Sequence, residues 1–334
     1  MDSRKFLAID IGGSKLLTAV ITVEEANNRR RGVFSGAAKR TLDRHSGKEG
    51  VLEAIRGAVA ETFHLTGMTM DDIAGIGATI PGLADPVTGT WVYAPFSGIA
   101  DFPIASQLEK EFGKKVRVEN DVNACAWAEK IFGACQNVND FLWITISNGI
   151  GGGLVLGGKI YPGTYGGAAE IGHFNIVENG ALCGCGNRGC LEAEAAGPAI
   201  ARRFEEMLAQ NGAETRQRVE LLKWKKQIAP DLPLAAAEIA ELARVGDPVA
   251  KKVYDMTGYY VGRAAAFAAN IINPACIVIG GGVAGAFDLF ETEMKKTFYA
   301  QVFHDANKEI RILKTGLGYE AGLYAAASLL YLDE

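Results

Sequence analysis

Four residues of one short segment, His173, Cys183, Cys185 and Cys190, offer one nitrogen and three sulfurs within eighteen positions. That is the donor set of a closed tetrahedral zinc site. Four protein ligands leave no open position, so the zinc is expected to be structural. Gly184, Gly186 and Gly189 permit the tight winding between them; a disulfide or unliganded thiols are the competing reading. Metal binding would order the loop and fix its neighbours, Glu170 and Glu192. A surface acid is usually only solvated. Two acids bracketing one metal loop are better candidates for binding the hydroxyls of a sugar, because a carboxylate can accept hydrogen bonds from two vicinal hydroxyls.

A further acid stands at the end of a strand-like run. Residues 116–118 lead into Glu119-Asn120-Asp121, and a helix follows. Asp121 reads either as a helix N-cap or as a working carboxylate at the C-terminal end of an α/β strand, where ligands bind in such sheets. Phosphoryl transfer to an alcohol needs one group to accept the hydroxyl proton, and otherwise positioning and charge neutralisation. A single Asp beside a hydrogen-bonder such as Asn120 suffices.

Three stretches join an apolar run to glycines: Asp10 to Lys15, Asn148 to Gly153, and Gly280 to Gly282. Glycine lacks a side chain and tolerates positive φ, so backbone N–H groups can approach phosphate oxygens directly. A helix after the third would aim its positive end at the ligand. One glycine hairpin is structural more often than functional. Three on separate strands, the first holding Asp10 and Lys15, point to nucleotide binding. The chain has no G-x-x-x-x-G-K-[ST] loop. Gly149-x-Gly151-x-Gly153 sits between two strands with no helix after it, so a dinucleotide fingerprint fails.

The elements that must hold these residues alternate. Residues 6–10 and 16–23 are β-like and joined by Gly12-Gly13-Ser14-Lys15, a hairpin with a glycine turn. Residues 48–65 carry Val51, Ile55, Val59 and Phe63 at helical spacing, with Gly67 as C-cap. Residues 73–80 return to strand, broken by Pro81-Gly82; 104–112 read as helix, 116–119 as strand and 123–132 as helix. The pattern restarts with strands at 141–146 and 154–156 joined by a glycine-rich turn over 148–153. This weak duplication suggests two related domains facing each other. Helices are expected at 198–208, 234–245, 248–272, 289–299 and 322–330, and strands at 275–279 and 310–313. Strands alternating with helices argue for α/β. The motifs place the junctions near Asp121 and Gly316, giving a smaller domain of 1–121 plus 317–334 and a larger one of 122–316 that carries the zinc loop.

A chain of 334 residues is too long for one ordinary core. Its net charge of −5 contains no block of like charge apart from Arg29-Arg30-Arg31, so nothing suggests a nucleic-acid footprint. That triplet lies in a polar stretch, 24–32, and reads as a solvated loop. No secretory leader is visible ahead of residues 6–10. The most apolar segments, 264–272 and 275–283, are too short or too glycine-rich to span a bilayer. A cytoplasmic location follows, in which thiols stay reduced; this favours metal over disulfides at the cysteine cluster.

Taken together these residues resemble the ROK family (repressor, ORF, kinase) of bacterial sugar kinases, within the actin-like ATPase (ribonuclease H-like) fold. The matching pieces are Asp10-Ile11-Gly12-Gly13-Ser14-Lys15, Glu119-Asn120-Asp121, Gly149-Ile150-Gly151-Gly152-Gly153, Glu170-Ile171-Gly172-His173, the segment from Cys183 to Glu192, and Ile279-Gly280-Gly281-Gly282. They keep the family's order over nearly the whole chain, and the zinc segment is most like that of the glucokinases. The resemblance implies two α/β domains with an interdomain cleft that closes over substrate. Asp10, Gly12, Gly13, Ser14 and Lys15 would face Mg²⁺ and the ATP phosphates. Gly149, Gly151 and Gly152 would form a second phosphate loop, and Gly280, Gly281 and Gly282 would approach the adenosine. Asp121 would be the base on the sugar 6-hydroxyl. Gly82, Asn120, Glu170, His173 and Glu192 would bind the sugar, His173 serving metal and sugar through its two ring nitrogens. The implied activity is an ATP-dependent hexose kinase acting on glucose, with an N-acetylhexosamine or another hexose as alternative substrate. The implied assembly is a homodimer, with a tetramer as alternative, and no nucleic-acid or membrane partner.

Some positions depart from the family pattern. Ser14 stands where Thr is usual, Ser147-Asn148 where Gly-Thr is usual, and Ala169 where Gly is usual, the last as in kinases for N-acetylmannosamine. Phe96 and Tyr165 stand where polar residues are common. The last three lie near the expected sugar pocket and bear on which sugar binds. A sugar-responsive repressor, the family's other branch, would need a DNA-binding segment ahead of Phe6, where only five residues stand. A non-catalytic sugar binder would have no need of Asp121 and all three glycine stretches.

Overall fold

Along β1 (Arg4–Ile11) Phe6 and Ala8 point to one layer of helices and Leu7 and Ile9 to the other, and all four are buried. A strand covered on both faces reads as a continuous apolar run. The structure, a computed structural model, describes residues 4–27, 29–43, 47–94, 98–211 and 213–332. By its internal contacts the chain divides into two units. The first comprises Met1–Asp140, Gly153–Ala168 and Thr315–Glu334; the second comprises Phe141–Gly152 and Ala169–Lys314. None of the helices described is long and apolar enough to cross a membrane.

In the first unit β1 lies between β2 (Lys15–Ala26) and β4 (Gly75–Ile80), with β3 (Arg29–Thr41) and β8 (Val116–Asn120) at the edges. β1, β2 and β3 are antiparallel, whereas β4 and β8 run parallel to β1. On one face α1 (Gly47–Thr66) and α2 (Ile104–Phe112) bury Val51, Ile55, Ile104 and Leu108 against Leu7 and Ile9. On the other, α3 (Asp121–Ile131) and α11 (Ala321–Ser328) bury Trp127, Leu323 and Ala326 against Phe6 and Ala8. β5 (Leu83–Asp85), β6 (Thr90–Ala94) and β7 (Ile99–Phe102) form a separate antiparallel sheet.

The second unit is built on β12 (Cys276–Gly280), which pairs in parallel with β9 (Phe141–Ile146) and β13 (Arg311–Lys314). β10 (Ile150–Leu156) crosses the division at Gly152 and forms a hairpin with β11 (Lys159–Ile160). The helices are α4 (Leu191–Ala195), α5 (Gly197–Asn211), α6 (Ala213–Lys226), α7 (Ala236–Arg244), α8 (Pro248–Ile272), α9 (Phe287–Gln301) and α10 (His304–Asn307). α8 opens on Asp247, whose Oδ1 accepts from Val249 N and Ala250 N at 3.0 Å, with Pro248 in the first turn; this is the cap-and-proline start that favours a long helix.

Several expectations are corrected. Arg29-Arg30-Arg31 is not a solvated loop but the start of β3. Its polar residues face polar partners across the hairpin, Glu24 opposite Arg31 and Glu25 opposite Arg30, and Arg30 Nε meets Glu25 Oε1 at 2.5 Å. Opposite charges across an antiparallel pair support a strand that composition alone reads as loop. Residues 150–153 belong to β10, so the turn between β9 and β10 is only Ser147 to Gly149. The boundary expected after Asp121 differs from the contact division, because α3 stays with the first unit. Ala124 and Ala128 pack on Leu317, Ala325 and Leu329, and Trp127 Nε1 donates to Ser328 O at 3.0 Å. α3 also buries Glu129 completely. Its carboxylate accepts from Ala134 N at 2.7 Å, from Gly316 N at 3.2 Å and from the Thr315 hydroxyl.

Candidate active site

Three parallel strands of the first unit end side by side. Asp10 closes β1 opposite Thr79 of β4, and Asn120 closes β8 opposite Ile80. Thr79 Oγ1 donates to Asp10 Oδ1 at 2.8 Å. The cap of α3 is Asn120, whose Oδ1 accepts from Val122 N and Asn123 N at 2.9 and 3.0 Å. Its Nδ2 donates to Gly82 O at 2.8 Å and to Asp121 Oδ1 at 3.0 Å. Of the two readings of Asp121, the structure therefore gives the cap to its neighbour and leaves Asp121 in the first turn. Asp121 takes N–H donors from Asn120 Nδ2 and from Val122 N, at 3.0 Å each, both on Oδ1.

These acids are electrostatically strained. Burial, and next the repulsion of Asp10, push the Asp121 carboxyl up to about 7. Burial also raises Asp10, against the Thr79 hydrogen bond and the Lys15 charge. A carboxyl that titrates near neutrality accepts and releases protons readily at working pH. The N-terminal turn of α11 presses on the same place: a methyl on Gly322 would lie 2.2 Å from Asp10 Oδ2. In the first glycine turn Gly12 N donates to Lys15 O at 2.8 Å, and Gly13 and Ser14 are exposed.

The second unit brings its two glycine turns together. Ser147 N donates to Gly149 O and Gly197 N to Ser147 O, both at 2.8 Å, and Gly282 N donates to Ser147 Oγ at 3.0 Å. Gly281 has φ +83°, a conformation that favours glycine. Beside these turns opens a cavity of about 910 Å³, whose walls include Pro198, Leu234, Ala236, Gly282 and Val283. The glycines of the second stretch serve close packing. A methyl on Gly149 would lie 2.5 Å from Glu192 Oε2, and one on Gly152 would lie 2.4 Å from Ala169 O.

Four sulfur ligands about 2.3 Å from one zinc ion would stand about 3.8 Å apart, the edge of the tetrahedron. Cys185 Sγ and Cys190 Sγ are 3.7 Å apart, and Cys183 Sγ is 3.8 Å from His173 Nδ1. All four donor atoms lie within 4.8 Å of one another. The segment winds on itself through Cys183 N to Asn187 O at 2.8 Å and Gly186 N to Cys183 O at 3.0 Å. The Asn187 N–H draws the exposed Cys185 thiol down to about 7, and burial pushes Cys190 up to about 12. With Nδ1 on the sulfur side, His173 Nε2 faces Glu170 Oε2 at 3.9 Å. Glu192 Oε2 accepts from Ile150 N at 3.0 Å, and Glu192 Oε1 is 3.7 Å from Cys183 Sγ.

The residues expected from sequence thus gather in three places. Asp10, Gly82, Asn120 and Asp121 meet in the first unit. In the second, Ser147 to Gly149 meets Gly281 and Gly282, and Glu170, His173 and Glu192 surround the cysteines. Thr79 and Gly322 were missed. Thr79 is found only through strand register, and Gly322 only through a helix 312 residues from Asp10 in sequence. Phe96 lies outside the described residues. Tyr165 is 90% exposed. Ala169, where glycine is usual, has φ +62°.

Two α/β units, with strand ends gathering acids in one and glycine turns in the other, define the actin-like ATPase class of fold. The match to the model described as ROK family spans residues 6–332, and the chain belongs to that family. It is 31% identical over 326 residues to a glucokinase of Streptomyces coelicolor, covering 97% of this chain and 96% of that protein. The crystal structure of a ROK family glucokinase from Streptomyces griseus in complex with glucose and AMPPNP matches with a TM-score of 0.80. It is 31% identical, with 97% of this chain and 98% of that one covered. The DNA-binding transcriptional dual regulator NagC of Escherichia coli is 28% identical over 274 residues, which are 82% of this chain and 64% of that protein.

Proposed function

We propose that glucose is the sugar on which this ATP-dependent sugar kinase acts, at its 6-hydroxyl and with Asp121 as the base. The observation that carries the reading is the Asp121 carboxyl itself. It stands at the end of a parallel strand, is held by two N–H donors through one oxygen, and is raised to about 7. Asp121 takes the hydroxyl proton as the sugar oxygen attacks the γ-phosphoryl group. Gly12, Gly13, Ser14 and Lys15 and the Ser147–Gly149 turn direct N–H groups and one ammonium to the phosphates of ATP. Asp10 would hold Mg²⁺, which would supply charge neutralisation at the phosphates. The adenosine occupies the cavity beside Gly280, Gly281 and Gly282, whose apolar walls suit a base. Gly82, Asn120, Glu170, His173 and Glu192 bind the sugar hydroxyls. The three thiols and Nδ1 of His173 fit zinc in number, donor chemistry and spacing; it would order the loop that carries Glu170 and Glu192. The enzyme is a cytoplasmic homodimer in this reading.

One observation favours a second sugar. Ala169 holds, in a left-handed conformation, a position where N-acetylmannosamine kinases share the loss of glycine, so an N-acetylhexosamine is the alternative substrate. A coupled ADP assay over hexoses and N-acetylhexosamines separates the two. Glucose is expected to give the highest kcat/KM. Asp121→Ala is expected to lower kcat by about 10²–10⁴ while glucose still binds. A preference for an N-acetylhexosamine would replace glucose. Unaltered turnover in Asp121→Ala would remove the base, and a wild-type protein that binds sugar without making ADP would be a binder and not a kinase.

A further inference from the structure

We infer that Glu192 couples the sugar subsite to the nucleotide loop, so that each ligand strengthens the binding of the other. The inference rests on the sugar-kinase reading and adds to it. Glu192 opens α4 two residues after Cys190, and its two carboxylate oxygens face different partners. Oε2 accepts the Ile150 N–H at 3.0 Å, immediately after the Ser147–Gly149 turn. A methyl on Gly149 would lie 2.5 Å from Oε2, so a larger residue there would push the carboxylate off the Ile150 N–H. Gly149 is therefore in contact with the acid before any phosphate arrives. Oε1 lies 3.7 Å from Cys183 Sγ. A metal-bound thiolate has no proton to donate, which leaves Oε1 to a sugar hydroxyl. The first residue of the next helix, α5, grips the same turn, through Gly197 N to Ser147 O at 2.8 Å. Glu192 at the start of α4 and Gly197 at the start of α5, five residues apart just after Cys190, thus hold the nucleotide turn at both ends, and Glu192 offers its other oxygen to the sugar. A sugar hydroxyl on Oε1 fixes the rotamer that holds Ile150, and a nucleotide that orders the turn fixes the same rotamer.

The test crosses the two ligands, by calorimetry at matched metal content. Glu192→Ala is titrated with AMPPNP and Mg²⁺ in the absence of sugar, and Gly149→Ala with glucose in the absence of nucleotide. Neither probe touches the altered residue in the scheme above. Each affinity is expected to fall about fivefold or more, the low end of measured couplings. Glu192→Gln, which keeps an oxygen for the Ile150 N–H, is expected to restore most of the AMPPNP affinity. In the wild type, glucose is expected to tighten AMPPNP by a similar factor. AMPPNP affinity unchanged in Glu192→Ala, or equally low in Glu192→Gln, overturns the coupling. A wild type that binds glucose without tightening AMPPNP overturns the coupling as well; if glucose fails to bind the wild type, the choice of sugar falls and the same titration is run with an N-acetylhexosamine, where an unchanged AMPPNP affinity overturns the coupling.

Discussion

The two glycine turns look alike in sequence and differ in what their glycines do. In the turn between β1 and β2 the crowding is milder: a methyl on Gly12 would lie 3.2 Å from Lys15 O and 3.8 Å from Lys15 Cγ, and Gly13 and Ser14 face solvent. In the turn and strand after β9 the space is already filled, by Glu192 beside Gly149 and by Ala169 O beside Gly152. The first turn leaves Gly13 and Ser14 open to solvent. The second is a packing joint that the Glu192 carboxylate and the helix following the cysteine cluster hold in shape. A shared strand–glycine–strand pattern therefore covers two physical roles, one of access and one of close approach.

Breaking the metal segment should show the largest effect. Cys185→Ser is expected to lower metal content and melting temperature together, because metal binding to such a site is folding free energy. Elemental analysis and thermal denaturation check this, and a variant unaffected in both would leave the second turn without its anchor. Next comes the direct contrast between the turns. Gly152→Ala is expected to cost about 1–3 kcal/mol in urea denaturation, as overpacking against backbone does. Gly12→Ala, whose methyl would meet backbone at 3.2 Å and not at 2.4 Å, is expected to cost less than about 1 kcal/mol and to act mainly on nucleotide KM. Equal costs would erase the distinction.

The acids of the first unit sharpen it from the other side. As the proposed base, Asp121 has to be deprotonated to act, and its carboxyl is raised to about 7, so kcat/KM is expected to rise with pH through about 7 and to fall about tenfold per unit below it. Asp10 is one cause of that rise. In Asp10→Asn the residual activity is expected to keep its acid limb but to shift it to lower pH; a limb that stays in place would place the repulsion elsewhere. The smallest effect belongs to Ala169, whose φ of +62° costs an alanine about 1 kcal/mol relative to glycine. Ala169→Gly is expected to raise stability by that order in urea denaturation, with any change in KM confined to the sugar.

Much of this was legible in the sequence because it rests on local pattern. α2 and α8 fall where spacing puts them, and His173 and the three cysteines were marked by donor type alone. What was not legible depends on partners far along the chain. β3 carries Arg29, Arg30 and Arg31 and shows no apolar run; cross-strand acids make it a strand. α6 lacks an apolar stripe, leaving Trp224 77% exposed, and it gains support from the Glu214–Arg218 pair at 2.5 Å. The cap of α3 fell to Asn120 and not to Asp121, a choice between adjacent polar residues that backbone geometry decides. The role of Gly149 was read as access to phosphate, because nothing local shows that Glu192 lies against it.

Glu129 has a consequence for how such a chain can diversify. The chain leaves the first unit after Asp140 and returns at Thr315, and one buried carboxylate binds both Ala134, ahead of the exit, and Gly316, after the re-entry. Apart from the excursion at residues 153–168, the long stretch between is a guest whose two ends meet at one point of its host. Segments with neighbouring ends are those a fold tolerates as insertions. A lineage could lengthen, trim or remodel this guest without untying the host, and the buried acid marks the knot that must stay fastened.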